Sequence, residues 1–296
     1  MRVLVTGWFG TEDGEITAGD ALAGDAVRRW LAEAGVAHDV AMAAGFRRDG
    51  QLAPAAVDPA AYTHVLWVCG PTASPRAAQA LVPFAHCTRI AVGTSTDTGP
   101  FDVVLARDGL LRPTPPRPDL SLGAPDARVP VVAVVLAHPQ PEYGERQRHE
   151  AADALVRAVV ASADIAPLVV DTRLDAEEAL ACSTAAQLGS LLARADAALT
   201  TRLHGLVLAL RAGVPAVALD PIAGGAKVTA QAAALGWPAA RTVDGTDAGE
   251  LSELVAWSLS AEARQQAHAA AARGRAGLAA VREELLEAIG VAGAGR

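Results

Sequence analysis

Cysteine is scarce in this chain: three occur in 296 residues, Cys69, Cys87 and Cys182, an odd number set far apart. That spacing excludes a disulfide framework and offers no paired ligands for zinc. They read as small buried thiols of a reducing compartment. An excess of positive charge is also missing, with 25 Lys and Arg against 33 Asp and Glu and a net charge of -8. Nucleic-acid binding is mostly phosphate neutralisation, so a broad nucleic-acid surface is excluded, while local basic pockets stay open. No apolar run approaches the length that crosses a bilayer. Met1 to Gly7 goes straight into a strand and turn without the features of a signal peptide, and a cytoplasmic protein is expected. No His, Cys or carboxylate cluster has metal-ligand spacing, and no metal is expected. Gly7-Trp8-Phe9-Gly10 is not a dinucleotide fingerprint and Gly224-Gly225-Ala226-Lys227-Val228-Thr229 is not a P-loop.

What is present is apolar and small. Hydrophobic residues make up 51% of the chain and charged ones 20%, a globular composition whose core is drawn mainly from Ala, Val and Leu. Short apolar runs alternate with helical patterns, the signature of parallel sheets with crossover helices. The first half offers strands at Arg2 to Val5, His38 to Ala41, Val65 to Cys69, Arg89 to Val92 and Val103 to Leu105, and a helix from Asp20 to Ala34 with Asp20 as its N-cap and Gly35 just past its end. A proline-rich loop from Leu111 to Ala127 then reads as a linker. The alternation restarts with strand Val131 to Leu136, a helix from about Glu145 to Ser162, strand Leu168 to Val170, helix Thr184 to Arg194 and strand Ala197 to Thr200. Strand Ala216 to Leu219 and helices Lys227 to Leu235 and Ala248 to Leu259 follow. Ala261 to Ile289 is expected to form one or two outer helices. The expected fold is α/β, two Rossmann-like domains with parallel sheets, over residues 1–123 and 124–296.

The most informative stretch is Thr200-Thr201-Arg202-Leu203-His204-Gly205, which sets an Arg and a His in the turn between a strand and the helix pattern Leu206 to Leu210. Ligands of open α/β sheets bind at the carboxyl ends of strands, where a helix N-terminus also favours anions. The local pattern is equally compatible with a buried His and a salt-bridged Arg. Trp30, Trp67 and Trp257 fall on apolar faces and read as core, whereas Trp8 lies in a turn where it could stack on a ring or pack inward.

The run from Leu192 to Gly205, with Ala212-Gly213-Val214-Pro215 and Lys227 after it, resembles the polysaccharide pyruvyl transferase family. Gly7-Trp8-Phe9-Gly10 with Gly19-Asp20 is similar to that family's N-terminal glycine turn and helix start, and Arg107-Asp108 and Asp119-Leu120-Ser121-Leu122 are similar to its mid-chain elements. The chain departs from the pattern at Cys69-Gly70-Pro71, where a glycine triplet is usual, and in the long turn Thr11 to Ala18. The resemblance implies a GT-B-like arrangement, an N-terminal acceptor domain, a C-terminal donor domain and transfer of pyruvate from phosphoenolpyruvate to a sugar or glycan as a ketal, with no other cofactor.

That reaction needs a proton at the methylene carbon and cations for the carboxylate and phosphate. His204 is then the general acid and Arg202 holds the donor. Lys227 can reach the same cleft, with a solvated first-turn Lys as the alternative, and Gly224 and Gly225 can bring backbone amides to a phosphate. Arg107 is a candidate to face across from the first half, with an Arg107-Asp108 structural pair as the alternative. His138, with Arg146 and Arg148, could line the cleft or form an ordinary charged loop. Asp20 and Gly10 are candidate acceptor contacts that also have structural work as cap and turn. A nucleotide-sugar glycosyltransferase and a noncatalytic binding protein of the same fold are the competing functions; the former lacks the carboxylate expected on the helix from Lys227.

Overall fold

A computed structural model describes residues 1–11, 16–72, 74–95, 99–108 and 115–291. Parts of two expectations, the turn at 12–15 and the linker at 111–114, lie outside the described residues. The chain divides into two compact units, Met1–Ala127 and Arg128–Arg296.

The first unit is a parallel sheet of β1 (Val3–Gly7), β2 (His38–Val40), β3 (His64–Val68), β4 (Thr88–Val92) and β5 (Val103–Leu105), in the order β2-β1-β3-β4-β5. Its helices are α1 (Ala18–Glu33) and α2 (Pro75–Leu81). The short apolar run of β1 is buried on both faces, as a parallel strand covered by helices must be, and Val65, Trp67 and Val68 of β3 are buried beside it. The turn Leu120–Gly123 is docked on α1, where the Arg29 guanidinium donates to Gly123 O at 2.6 Å. That docking extends the unit to Ala127.

The second unit repeats the topology with β6 (Val131–Val135), β7 (Ala166–Val169), β8 (Ala197–Thr200), β9 (Ala216–Asp220) and β10 (Ala240–Thr242), in the order β10-β9-β8-β6-β7. Helices α3 (His149–Ser162), α4 (Ala185–Leu192), α5 (Leu203–Arg211), α6 (Lys227–Ala234), α7 (Ala248–Ser258) and α8 (Ala261–Ala288) complete it. Two apolar clusters form its core, one including Leu188, Leu206 and Leu210 and the other Val156, Leu199 and Leu251. In each unit the first strand lies between the second and third, so the chain changes direction across the sheet there. Such a switch point leaves a crevice at the carboxyl ends of the strands.

Several expectations are corrected in detail. Asp20 is not the N-cap of α1; Thr17 is, and Asp20 closes a capping box with it. The helix expected from Glu145 begins at His149, because the segment before it is drawn into pairing with 221–223: Arg148 N–H donates to Pro221 O at 2.8 Å and Ala223 N–H to Arg146 O at 2.8 Å. The tail is a single helix despite Gly274 and Gly277, and only Ala263, Ala267 and Ala270 of α8 are buried. Trp67 is buried in the first unit and Trp257 packs against the core of the second, but Trp30 is 43% exposed. Trp237, which the pattern did not single out, is buried and donates to Ala216 O. Among the described residues no helix is long and apolar enough to cross a membrane.

Candidate active site

In the second unit the strand ends at the switch point open into a cleft of about 550 Å³. The turns after β6 and β8 supply its walls through His138, Arg202 and His204, and the first residue of α6 supplies Lys227. Four predicted residues, Arg202, His204, Lys227 and His138, are thus brought together. The geometry starts at Thr200, whose hydroxyl donates to Val135 O at 2.8 Å and accepts from Arg202 N–H at 3.0 Å. Thr201 likewise accepts from Ala137 N–H at 2.7 Å and ties the two strand ends together. Arg202 occupies the N-cap position of α5 and no side chain caps that helix. Its first-turn amides and their dipole therefore favour an anion in the cleft.

The charges are arranged around one carboxylate. Asp171, just past β7, takes Arg202 Nη1 at 2.9 Å on one oxygen and His138 Nε2 at 2.6 Å on the other. Burial would push the Asp171 carboxyl up. The Arg173 amide, the His138 ring and the Arg202 charge outweigh it and hold the group below its ordinary value. His204, on the first turn of α5, is exposed and its ring has no hydrogen-bond or ion-pair partner among the described residues. A packed core histidine would be neither. Lys227 is half-buried, and its Nζ lies 5.7 Å from the centre of the Tyr143 ring.

The loop between β9 and α6 is held from inside. Asp220 is fully buried and accepts from Ala226 N–H at 2.7 Å, Thr229 N–H at 3.0 Å and the Thr229 hydroxyl at 3.1 Å on one oxygen, and from Ile222 N–H at 3.2 Å on the other. Gly224 and Gly225 adopt φ of 72° and 82°, which favours glycine. Their amides are occupied, by Asp244 at 3.1 Å and Ile222 O at 2.8 Å, and neither residue lines the cleft. Arg146 also points into this loop, donating to Ala223 O and Gly225 O. The glycines shape the loop that presents Lys227; the expected amide donation to a phosphate is not what their backbone does here.

Asp171, Arg173, Asp220 and Thr201 are site residues that sequence reasoning missed. Asp171 and Asp220 each end a strand pattern, and the strand-end rule applied to Arg202 would have found both.

In the first unit Arg107 is bound within its own unit, to Asp119, to Asp108 at 3.2 Å and to the Ser95 hydroxyl at 2.9 Å. Asp20 is spent on the capping box. Gly10 borders a separate cleft of about 400 Å³ with Thr11, Arg76 and Gln79; a Cβ on it would come within 2.9 Å of Ala41 O. Trp8 is covered by Gly70 on one side, and Arg76 lies 5.6 Å from its ring. Cys69, where the glycine triplet was expected, is alone among described non-glycine residues in adopting a positive φ, 60°. Burial, reinforced by Asp20 and Asp119 and opposed by Arg107, pushes its thiol up to about 12.

Similar solved structures include a spinosyn rhamnosyltransferase, SpnG, at 13% identity over 96% of this chain and 100% of that one, with a TM-score of 0.38. Acinetobacter baumannii MurG is 13% identical over 92% and 94%, with a TM-score of 0.33. E. coli heptosyltransferase WaaC with ADP is 14% identical over 87% and 100%, with a TM-score of 0.28. No curated protein matches the sequence. Residues 102–221, from just before β5 to just past β9, match the sequence model of the polysaccharide pyruvyl transferases, and the matched segment contains Asp171, Arg202 and His204.

Proposed function

We propose that the second unit binds phosphoenolpyruvate and that the protein transfers its pyruvyl group to a sugar or glycan acceptor as a ketal. The observation that carries this reading is the convergence of Arg202, His204 and Lys227 on one cleft over the uncapped N-terminus of α5. Arg202 and Lys227 neutralise the donor's carboxylate and phosphate, and the α5 amides add fixed positive dipoles.

His204, protonated, gives its proton to the methylene carbon, and the central carbon becomes an oxocarbenium ion. One acceptor hydroxyl adds to that carbon and returns its proton to His204. A second hydroxyl of the same sugar then forms the other ketal C–O bond as the bond to phosphate breaks. Its proton leaves with the phosphate. Two C–O bonds form, one C–O bond breaks, and no oxidant, metal or nucleotide enters the balance.

The acceptor is assigned to the first unit. There Arg107 and Asp20 organise the local fold, and Gly10, Thr11, Arg76 and Gln79 border a cleft. Thermal protection decides between donors: stabilisation by phosphoenolpyruvate but not by a nucleoside diphosphate supports the pyruvyl reading. The reverse overturns it in favour of a nucleotide-sugar enzyme.

A further inference from the structure

Behind the cleft lies a buried imidazole that the chemistry above does not use. His149, the first residue of α3, is 7% exposed, and neither of its ring nitrogens has a hydrogen-bond partner among the described residues. One turn along the same helix Asp153 buries an oxygen that also has no hydrogen-bond partner among the described residues. Polar atoms left orphaned in the interior cost free energy, so two side chains that carry three of them, one helical turn apart, call for a functional account.

The position is fixed by the pairing of 146–148 with 221–223, which seats the start of α3 beneath the loop that presents Lys227. The charged groups that reach His149 come from four elements: Asp153 on α3, Glu142 on the turn before it, Lys227 on α6 and Asp220 at the end of β9. Two of these, Glu142 and Lys227, line the cleft itself. Burial is the largest influence and lowers the imidazole's proton affinity; the three carboxylates Asp153, Glu142 and Asp220 oppose it, and Lys227 lowers it further. A multiply charged anion seated against Lys227 would offset that ammonium and leave Asp153 as the dominant neighbour.

We propose that His149 is a positioning residue of the donor cleft that takes up a proton from solvent when a phosphate-bearing anion binds against Lys227. The step is protonation of one ring nitrogen, with no other bond made or broken. The imidazolium then pairs with Asp153 and adds a positive charge behind the anion. This inference rests on the donor reading above and deepens it: anion binding and proton uptake become linked equilibria.

The test is calorimetry of the full chain with phosphoenolpyruvate, and separately with inorganic phosphate, at pH 6.5 in buffers of different ionisation enthalpy. Comparison with His149→Gln cancels the ligand's own protonation and that of His138 and His204. The wild type is expected to take up at least ~0.2 proton more than His149→Gln, a difference that disappears above about pH 8, where the imidazole stays neutral. Asp153→Asn, which keeps the imidazole, should reduce the uptake and serves if His149→Gln does not fold. Binding with the same proton count in wild type, His149→Gln and Asp153→Asn overturns the proposal and leaves the donor reading standing. Failure of both anions to bind overturns the two together.

Discussion

Gly205 rests directly on Thr200: a Cβ at Gly205 would collide with the Thr200 hydroxyl oxygen and lie 3.1 Å from Val135 Cβ. The first turn of α5 therefore starts hard against β8, and the same hydroxyl holds the Arg202 amide. Gly205→Ala should push α5 outward and move Arg202 and His204 together. We expect a loss of about 1 to 3 kcal/mol, the scale of an overpacked interior, with phosphoenolpyruvate binding falling in the same protein. Thermal melts and calorimetry read the two effects. Stability equal to that of the wild type would show that the helix tolerates the shift.

Arg202→Ala and Lys227→Ala should each weaken phosphoenolpyruvate binding by about 1.5 to 3 kcal/mol, the worth of a charge-assisted bond, or roughly 10- to 150-fold in affinity. Arg202→Ala carries a further consequence. Asp171 loses one of its two side-chain partners and keeps His138, so double substitution with His138→Gln should be non-additive. Unchanged affinity after either single substitution removes that residue from the site.

Much of this architecture could be read from the sequence because parallel strands buried on both faces leave continuous Val, Ala and Leu runs, as at Val131–Val135 and Ala197–Thr200. Arg202 and His204 were legible for the same reason, since they follow such a run directly. The start of α3 was not, because pairing of Gln147 with Ile222, 75 residues apart in sequence, overrides a local helical pattern. Distance in sequence also hid the joint use of Asp171 by His138 and Arg202. The roles of Gly224 and Gly225 depend on where Asp244 and Arg146 reach in space, which no spacing discloses.

Cys69 should resist alkylation in the native protein. It is buried and its thiol is pushed up to about 12, whereas Cys182 is half-buried. A thiol reagent at pH 8 should therefore label Cys182 first and reach Cys69 only on unfolding, because the thiolate is the reacting form. Peptide mapping of the labelled sites checks it, and rapid native labelling of Cys69 contradicts it.

His149 also ties stability to pH. Burial outweighs the neighbouring carboxylates and, with a smaller contribution from the Lys227 charge, holds its pKa below the ordinary value of about 6.5, so the unfolded chain binds a proton that the folded one resists. The folded state is fully favoured above that pH. It weakens as pH falls from about 6.5 toward the lowered native value, by up to about 1.4 kcal/mol per pH unit from this group. His149→Leu should be close to neutral at pH 7.5, since it removes orphaned nitrogens, and should lose less stability on acidification than the wild type. Parallel acid-dependence curves in the two proteins would show that the imidazole does not contribute.

His204 separates an enzyme from a binding protein of the same fold. The ring is exposed in the cleft and makes no bond to the described residues, so His204→Gln should leave the melting temperature unchanged and keep most of the donor affinity. If the imidazole delivers the proton to the methylene carbon, turnover should fall by ~100-fold or more, the scale of a lost general acid. The measurement is phosphate release from phosphoenolpyruvate with galactose, mannose and glucose acceptors, alongside melts of both proteins. Full turnover by folded His204→Gln ends the catalytic assignment. A wild type that binds phosphoenolpyruvate and releases no phosphate with any of these sugars moves the balance to a noncatalytic binder, and the same assay with longer glycans then tests whether the acceptor, rather than His204, was missing.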